Sequence, residues 1–263
     1  MPQTIGIIQT RGIGDIVIAL PIATLFAEQG HTVLWPVDVR YRAFLSAAAP
    51  WIEFLPVSTE ASLDEYYFLE PLRLLQARGC DRIHSLYSRL SIPGVQAVDE
   101  VLAQSLTFDQ YKYAVTGVPF LRKWELRLER DAAREAALHD SLNIEGDYIC
   151  VHGEGRDNGF DFALPEAWGR DYRIVTVDDR TDSPLDWLYT LEGAARLVLV
   201  DSCFSNLVEQ LRLPNEKYLL LRSTADFTPV MLGHWHHLTI KSGPPPGPVS
   251  APWAWTVRTQ RQP

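Results

Sequence analysis

The chain opens with an apolar strand, a glycine-containing loop and an apolar helix, and this order constrains its fold more than any other feature. Residues 5–8 are typical of a buried parallel strand. Gly12 and Gly14 lie in the loop, and Asp15 stands at the start of a helix that we expect to end near Gly30. Glycines let a backbone approach a ligand closely, and a helix start directs unpaired N–H groups at it. The stretch therefore predicts a general anion or nucleotide site.

Two other interpretations apply to this stretch, a dinucleotide-binding site and a helix-stabilising role of Asp15. The dinucleotide fingerprint G-x-G-x-x-G needs a third glycine where Val17 stands, which disfavours a Rossmann cofactor site. Asp15 also has a purely structural explanation, because an acid in the first turn stabilises a helix by about 0.5 kcal/mol. Both a helix-stabilising and a functional role for Asp15 follow from the spacing.

Strands and helices alternate through most of the chain, which predicts an α/β fold with parallel sheets. In the first half we expect strands at 31–36, 52–56 and 82–86 and helices at 41–49 and 63–78; in the second, strands at 148–152, 172–177, 196–200 and 217–221 and helices at 184–195 and 203–213. A charged helix is expected at 125–142. The predicted domains are 1–116, a connecting segment 117–146, 147–242, and a Pro-rich tail 243–263.

Charge and cysteine content indicate which partners are disfavoured and in which compartment the protein is expected. The formal net charge of -9 disfavours a wide basic groove, so a nucleic-acid acceptor is not favoured. Cys80, Cys150 and Cys203 are scattered without a C-x-x-C pair, which indicates a reducing compartment and no zinc knuckle. No signal peptide or transmembrane run is evident, so we expect a cytoplasmic protein. The cluster of residues 234–237, His-Trp-His-His, lacks a nearby acid or cysteine, and no metal site is predicted.

Candidate site residues follow the predicted strands, because ligands of parallel sheets gather beyond the carboxyl ends of the strands. In the first half these are Thr10, Arg11, Gly12, Gly14, Asp15 and Asp38. In the second half, residues 201–206 follow a strand directly, and Asp201 or Ser202 caps the next helix, whose start can receive a diphosphate. A plain capping motif without a ligand explains the same residues. Ser202 lacks the G-x-S-x-G context of a hydrolase nucleophile.

Three further polar residues stand at strand ends in the second half. Arg156, in a glycine-rich loop, can pair with phosphate oxygens, and Asp178 and Asp179 can accept hydrogen bonds from sugar hydroxyls. Ordinary surface positions explain all three equally well.

Two stretches together resemble the heptosyltransferase-like glycosyltransferases, the ADP-heptose:lipopolysaccharide family. The opening strand, the loop with Gly14-Asp15 and the helix reaching Leu20-Pro21 resemble the start of that family. Residues 200–207 resemble its C-terminal Asp-Thr/Ser-Gly-x-x-His-Leu signature, and residues 164–168 are similar to its K-x-W-P-x-x-x-W region. The resemblance covers both halves in the right order.

The resemblance implies a GT-B-like fold, with two Rossmann-like parallel-sheet domains facing across a cleft. By this similarity Asp15 is the candidate general base on an acceptor hydroxyl, and Thr10, Arg11, Gly12, Gly14 and Asp38 line the acceptor side. The nucleotide-sugar donor would be bound by Arg156, Asp178, Asp179, Asp201, Ser202, Cys203, Ser205 and Asn206, with its diphosphate at the helix start formed by residues 201–203. No metal or cofactor is expected; the partners are a nucleotide-diphosphate sugar and a glycan or other hydroxyl acceptor.

The sequence departs from the family pattern at three points. Asn206 stands where the family has histidine, Cys203 replaces a glycine, and 263 residues are few for this family, which suggests trimmed loops. From the resemblance as a whole, we predict a metal-independent glycosyltransferase. A nucleotide-sugar 2-epimerase-like enzyme and a catalytically silent nucleotide- or glycan-binding module are the alternatives.

Overall fold

The computed structural model describes residues 1–58, 65–87, 95, 100–155, 158–162, 164–221, 229–239 and 257–259. The chain divides into two compact units, Met1–Arg130 and Asp131–Pro263. The division falls inside the predicted connecting segment.

The first unit is built on a four-stranded parallel sheet with the order β3-β2-β1-β4. Its strands are β1 (Thr4–Ile8), β2 (Thr32–Asp38), β3 (Glu53–Val57) and β4 (Arg82–Ser85). Its helices are α1 (Ile13–Glu28), α2 (Val39–Ala48), α3 (Glu70–Ala77), α4 (Glu100–Ser105) and α5 (Phe108–Thr116), with a π-helical turn at Glu65–Leu69 and a 3₁₀ turn at Phe120–Trp124. Strands and helices alternate as predicted.

Helix α1 is buried along most of its length, which explains its almost entirely apolar sequence. Pro21 lies inside it and cannot donate a hydrogen bond to the preceding turn. The hydroxyl of Tyr113 on α5 donates to the nearby carbonyl of Ile18 at 2.8 Å. This contact fixes α5 against α1. The aromatic residues around it pack into the core, with Phe120 edge-on to Tyr113 and Trp124.

The second unit contains a five-stranded parallel sheet with the order β11-β10-β9-β5-β8 and a separate antiparallel sheet β12-β7-β6. The strands are β5 (Tyr148–His152), β6 (Glu154–Gly155), β7 (Asn158–Phe162), β8 (Arg173–Thr176), β9 (Arg196–Val200), β10 (Glu216–Leu221), β11 (Trp235–Thr239) and β12 (Val257–Thr259). The helices are α6 (Ala132–Ser141), α7 (Glu166–Asp171), α8 (Leu188–Gly193), which follows a 3₁₀ turn at Pro184–Trp187, and α9 (Cys203–Gln210).

The charged helix predicted at 125–142 is wrong in its first part, since α6 begins only at Ala132. Leu126 and Leu128 pack at alternate positions against the core of the first unit, a spacing of two that suits an extended segment. The N–H of Glu129 donates to the carbonyl of Ala48 at 2.7 Å, and Asp131 then caps α6. Tertiary packing therefore overrides the helical charge pattern here.

Strand β2 continues through Pro36, where the sequence pattern predicted its end. The last pair between β1 and β2 is Gly6 with Leu34, so Pro36 pairs only with Leu55 of β3. A proline that lies beyond the ladder on one side removes no hydrogen bond from it.

Two segments of the second unit also differ from the prediction. The predicted glycine-bearing loop at 153–159 contains the β6–β7 hairpin, with Arg156 and Asp157 outside the described residues. Strand β11 was not predicted. From the Pro-rich tail only β12 is described, paired antiparallel with β7.

All three cysteines are free; Cys150 and Cys203 are buried, and Cys80 is half-buried. Within the described residues, no helix combines the length and the apolar character that crossing a membrane requires.

Candidate active site

The loop after β1 is fixed at the carboxyl end of the first sheet by a half-buried tyrosine. The N–H of Thr10 donates to the hydroxyl oxygen of Tyr87, which follows β4, at 3.1 Å, and the Thr10 hydroxyl lies 3.2 Å from the same atom. The N–H of Arg11 lies 3.4 Å from this hydroxyl. Burial raises the pKa of Tyr87, so the phenol stays protonated. Tyr87 thus holds the predicted acceptor loop in place.

Position 12 needs glycine for two reasons, its backbone conformation and the closeness of the Asp15 carboxylate. Its φ is +77°, a region that residues with a side chain rarely adopt, and it precedes α1 as the N-cap residue. A Cβ at this position would lie 2.7 Å from the Oδ2 atom of Asp15. Glycine at position 12 therefore allows the turn into α1, in whose first turn Gly14 also lies, and makes room for the carboxylate.

The carboxylate of Asp15 pairs with a buried lysine that the sequence did not indicate. The Nζ atom of Lys112 on α5 lies 3.0 Å from Asp15 Oδ1, and the side chain of Lys112 is 4% exposed while that of Asp15 is 35% exposed. The same ammonium group donates to Gln9 Oε1 at 2.8 Å and to the carbonyl of Leu86 at 3.4 Å. Gln9 in turn donates through Nε2 to the carbonyl of Arg11 at 2.8 Å. Asp15 thus belongs to a network that connects α1, α5 and the loop.

Asp38 lies at the end of β2 as predicted, but its carboxylate is enclosed. The backbone N–H of Asp38 donates to the carbonyl of Thr10 at 2.9 Å, which joins this strand end to the loop. The side chain is 0% exposed, caps α2 and accepts hydrogen bonds from Arg40. Asp38 shapes the predicted acceptor side without presenting a carboxylate oxygen to solvent.

In the second unit, Ser202 lies between β9 and α9 and contacts a histidine from the adjacent strand. The Oγ atom of Ser202 is 3.2 Å from Nδ1 of His152, the last residue of β5. The ring of His152 packs edge-on against Phe204, with a centroid distance of 4.7 Å. Histidine, serine and the start of α9 therefore meet at one strand end, where a helix dipole favours an anion.

The first turn of α9 is closed by its own polar side chains. Ser205 Oγ accepts a hydrogen bond from the N–H of Ser202 at 3.0 Å, and Asn206 Nδ2 donates to the carbonyl of Ser202 at 2.8 Å. Asn206 is 3% exposed, and Cys203 is 9% exposed with its thiol pKa raised to about 12 by burial. Ser205, Asn206 and Cys203 thus shape the turn beneath Ser202, while Asp201 is half-buried directly after β9.

The remaining predicted donor residues follow the neighbouring strand or lie outside the description. Asp178 and Asp179 come shortly after β8, and β8 pairs with β5, so both lie near the strand end of His152. Hydrogen bonds from Arg180 lower the pKa of Asp178, whose two oxygens both accept from that guanidinium. Asp179 is exposed. Arg156 lies outside the described residues and stays a prediction.

No group of three or more histidine, cysteine, aspartate or glutamate side chains is arranged to hold a metal ion in the part of the chain that the structure describes. This search includes His234, His236 and His237, which lie beside and within β11.

Comparison with known proteins finds similarity in the fold but not in the sequence. No protein-family model matches the chain, and no curated protein matches it in sequence. Solved structures do match. A glycosyl transferase family 9 protein from Veillonella parvula superposes with a TM-score of 0.61 at 14% identity, covering 90% of this chain and 86% of the other. The chain has a GT-B-like glycosyltransferase fold.

Two further structures with this GT-B-like fold come from E. coli. ADP-heptose lps heptosyltransferase II matches with a TM-score of 0.57 at 13% identity, over 92% of this chain and 91% of its own. TibC, named an iron-containing dodecameric glycosyltransferase, matches with a TM-score of 0.55 at 14% identity, over 92% of this chain and 63% of its own. The predicted α/β architecture with two parallel-sheet halves is therefore confirmed.

Sequence analysis missed Lys112, Gln9 and His152 as site residues. Lys112 lies between two tyrosines in α5, where one lysine carries no visible signal, and the two side chains that it binds, Gln9 and Asp15, are far away in the chain. His152 was recognised only as the last residue of a strand. Its position, directly before a polar loop and beside the strand that ends at Val200, is the signal that could have identified it.

Proposed function

We propose that this protein is a metal-independent glycosyltransferase that moves a sugar from a nucleotide-diphosphate sugar to an acceptor hydroxyl. The observation that carries the proposal is the partly exposed carboxylate of Asp15, held at the start of α1 by Lys112 in a chain with a GT-B-like fold. Because one fold supports many activities, the fold alone is not sufficient and the site must supply the argument.

Asp15 is the proposed general base. As the acceptor oxygen attacks the anomeric carbon of the donor, its proton passes to the carboxylate of Asp15, and the new C–O bond forms. The bond between the anomeric carbon and the diphosphate oxygen breaks, and the diphosphate leaves with the electron pair. Thr10, Arg11, Gly12 and Gly14, which precede Asp15 in the loop and in the first turn of α1, are the proposed acceptor-side residues.

The start of α9 is the proposed site for the donor diphosphate. A helix N-terminus favours an anion, and Ser202 and His152 offer hydrogen-bonding side chains at the same place. Arg156, Asp178 and Asp179 are proposed to complete the donor site through the phosphates and the sugar or ribose hydroxyls. The heptosyltransferase II structure is named for an ADP-heptose donor, which makes ADP-sugars the first class to test.

A silent binding module has one observation in its favour. Asn206 is buried and its amide donates to a backbone carbonyl, so it does not present the side chain that the family's histidine would present. A module that binds a nucleotide without turning it over would fit this change.

The experiment has two steps. A thermal-shift screen with nucleoside diphosphates and their sugars identifies the donor, since a ligand that binds only the folded state raises the melting temperature. The wild-type protein and Asp15→Asn are then incubated with that donor, with and without an acceptor panel. Transfer by the wild type and its loss in Asp15→Asn, with donor binding retained, is the expected result.

Other outcomes point elsewhere. Conversion of the donor to an epimer without acceptor would identify a 2-epimerase-like enzyme. Donor binding with no turnover for any acceptor would identify a binding module, and full transfer by Asp15→Asn would remove Asp15 as the base.

A further inference from the structure

The buried lysine beside Asp15 uses all of its hydrogen-bonding capacity on one side of the site. An ammonium group has three donors, and the Nζ atom of Lys112 has three acceptors within reach, namely Asp15 Oδ1, Gln9 Oε1 and the carbonyl of Leu86. Its side chain is nearly inaccessible to solvent. Lys112 is therefore placed to hold other groups rather than to bind a ligand itself.

The position of Lys112 is fixed independently of Asp15. Helix α5 begins with a capping box between Thr107 and Gln110. Tyr113, which directly follows Lys112, donates a hydrogen bond from its hydroxyl to α1. The ring of Phe108 lies 5.7 Å from Lys112 Nζ. The ammonium group is thus a fixed point against which the carboxylate is oriented.

The two oxygens of Asp15 have different surroundings. Oδ1 is bound to Lys112, while Oδ2 lies against the backbone of Gly12, where any side chain would collide with it. The carboxylate is therefore anchored through Oδ1 to a buried ammonium group, while 35% of the Asp15 side chain is still exposed to solvent.

We propose that Lys112 is a positioning residue for glycosyl transfer, which fixes the carboxylate of Asp15 in the orientation that accepts the proton of the acceptor hydroxyl. This inference rests on the proposed function. Orientation of this kind affects the chemical step more than binding, because a misplacement of about 1 Å lowers a rate by about a hundredfold. Lys112 acts through Asp15 and does not touch the substrate.

Kinetics test the proposal. Lys112→Met keeps the length of the side chain and removes the ammonium group. We expect it to lower kcat by at least about tenfold, with KM for the donor unchanged. Lys112→Arg, which keeps the charge, should recover part of kcat. Gln9→Leu removes one acceptor of Lys112 and should lower kcat by a smaller factor, and it also serves if Lys112→Met folds poorly.

The control removes a comparable buried ion pair, one member of which also lies on α5. Lys123 Nζ lies 2.7 Å from Asp109 Oδ2, both side chains are fully buried, and Asp109 is on α5. The double variant Lys123→Met/Asp109→Asn should change stability while leaving kcat within about twofold, because this pair does not touch Asp15. If it lowers kcat as much as Lys112→Met, or if Lys112→Met keeps the wild-type kcat, the proposal is wrong.

A second measurement does not depend on transfer. Urea unfolding of Lys112→Met, Asp15→Asn and their combination should give effects that are less than additive, since the two residues contact each other. Additive effects would contradict the pairing and with it the proposal. If the wild type transfers no sugar, the proposed function fails, and the unfolding cycle still decides whether Lys112 fixes Asp15.

Discussion

His152 Nδ1 lies 3.2 Å from Ser202 Oγ, a contact that joins the carboxyl ends of β5 and β9, neighbours in the five-stranded sheet. A side chain from one strand end thereby orients the hydroxyl that stands at the start of α9. This arrangement predicts that Ser202 is oriented before any ligand arrives.

Replacing this serine should weaken nucleotide binding. With Ser202→Ala we expect a smaller thermal shift from nucleoside diphosphates, because the variant loses the hydroxyl at the helix start. It also removes the hydrogen bond between this hydroxyl and Nδ1 of His152. Stability should fall by about 1 kcal/mol, the usual worth of one hydrogen bond. Ser141→Ala is the control, since Ser141 Oγ donates to the carbonyl of Leu138 at the end of α6. Equal thermal shifts in the two variants would contradict the assignment.

Gly12→Ala should destabilise the chain and displace Asp15. The positive φ costs an alanine about 1–2 kcal/mol, and its Cβ would also collide with Asp15 Oδ2. Gly79→Ala isolates the second effect, because Gly79 has a φ of +67° with no atom within 4 Å of an added Cβ. Chemical denaturation should therefore show a larger loss for Gly12→Ala, and the transfer rate should fall in that variant alone.

Tyr87→Phe should loosen the loop after β1. The change removes the oxygen that faces the N–H groups of Thr10 and Arg11, and an unsatisfied buried donor costs about 1–3 kcal/mol. Hydrogen exchange of these two amides should accelerate by more than that of amides in the middle of β1. Unchanged protection would show that the hydroxyl does not hold the loop.

The thiols should respond to pH and reagent according to their burial. Burial raises the pKa of both Cys150 and Cys203 to about 12, so neither forms a thiolate at pH 8. We expect a disulfide reagent to modify only the half-buried Cys80 in the native protein, and all three cysteines after denaturation. Rapid modification of Cys203 in the folded protein would contradict its burial.

The same shifts predict a loss of stability in alkali. A thiol whose pKa is higher in the folded state stabilises the fold fully below its unfolded pKa, and that contribution disappears as the pH rises through the folded value. Unfolding free energy should therefore decrease between about pH 9 and pH 12, the interval between the reference and folded pKa values of Cys150 and Cys203. The double variant Cys150→Ala/Cys203→Ala should show a shallower decrease over this interval.

Sequence reasoning succeeded where local signals and the fold agree. Short apolar runs identified β1, β5 and β9, and residues 15 and 202 were correctly placed at helix starts after strands. Such positions depend only on neighbours in the chain, which is why the sequence carries them.

The residues that sequence reasoning missed depend on distant contacts. Lys112 is buried only because Gln9 and Asp15 supply acceptors from far away in the chain. Strand β11 contains two histidines and a threonine, so its sequence lacks the apolar pattern of a buried strand. It forms because it lies at the edge of the sheet and pairs with β10.

That edge strand bears on how the chain can be shortened. The carboxylate of Glu209 on α9 is buried and accepts hydrogen bonds from the N–H groups of Leu232 and Gly233 and from Nε1 of Trp235. A protein truncated before residue 230 would lose all three of these hydrogen-bond donors to Glu209. Removal of β11 would thus damage α9, at whose opposite end Ser202 stands, so trimming for crystallisation should leave the residues up to Thr239 in place.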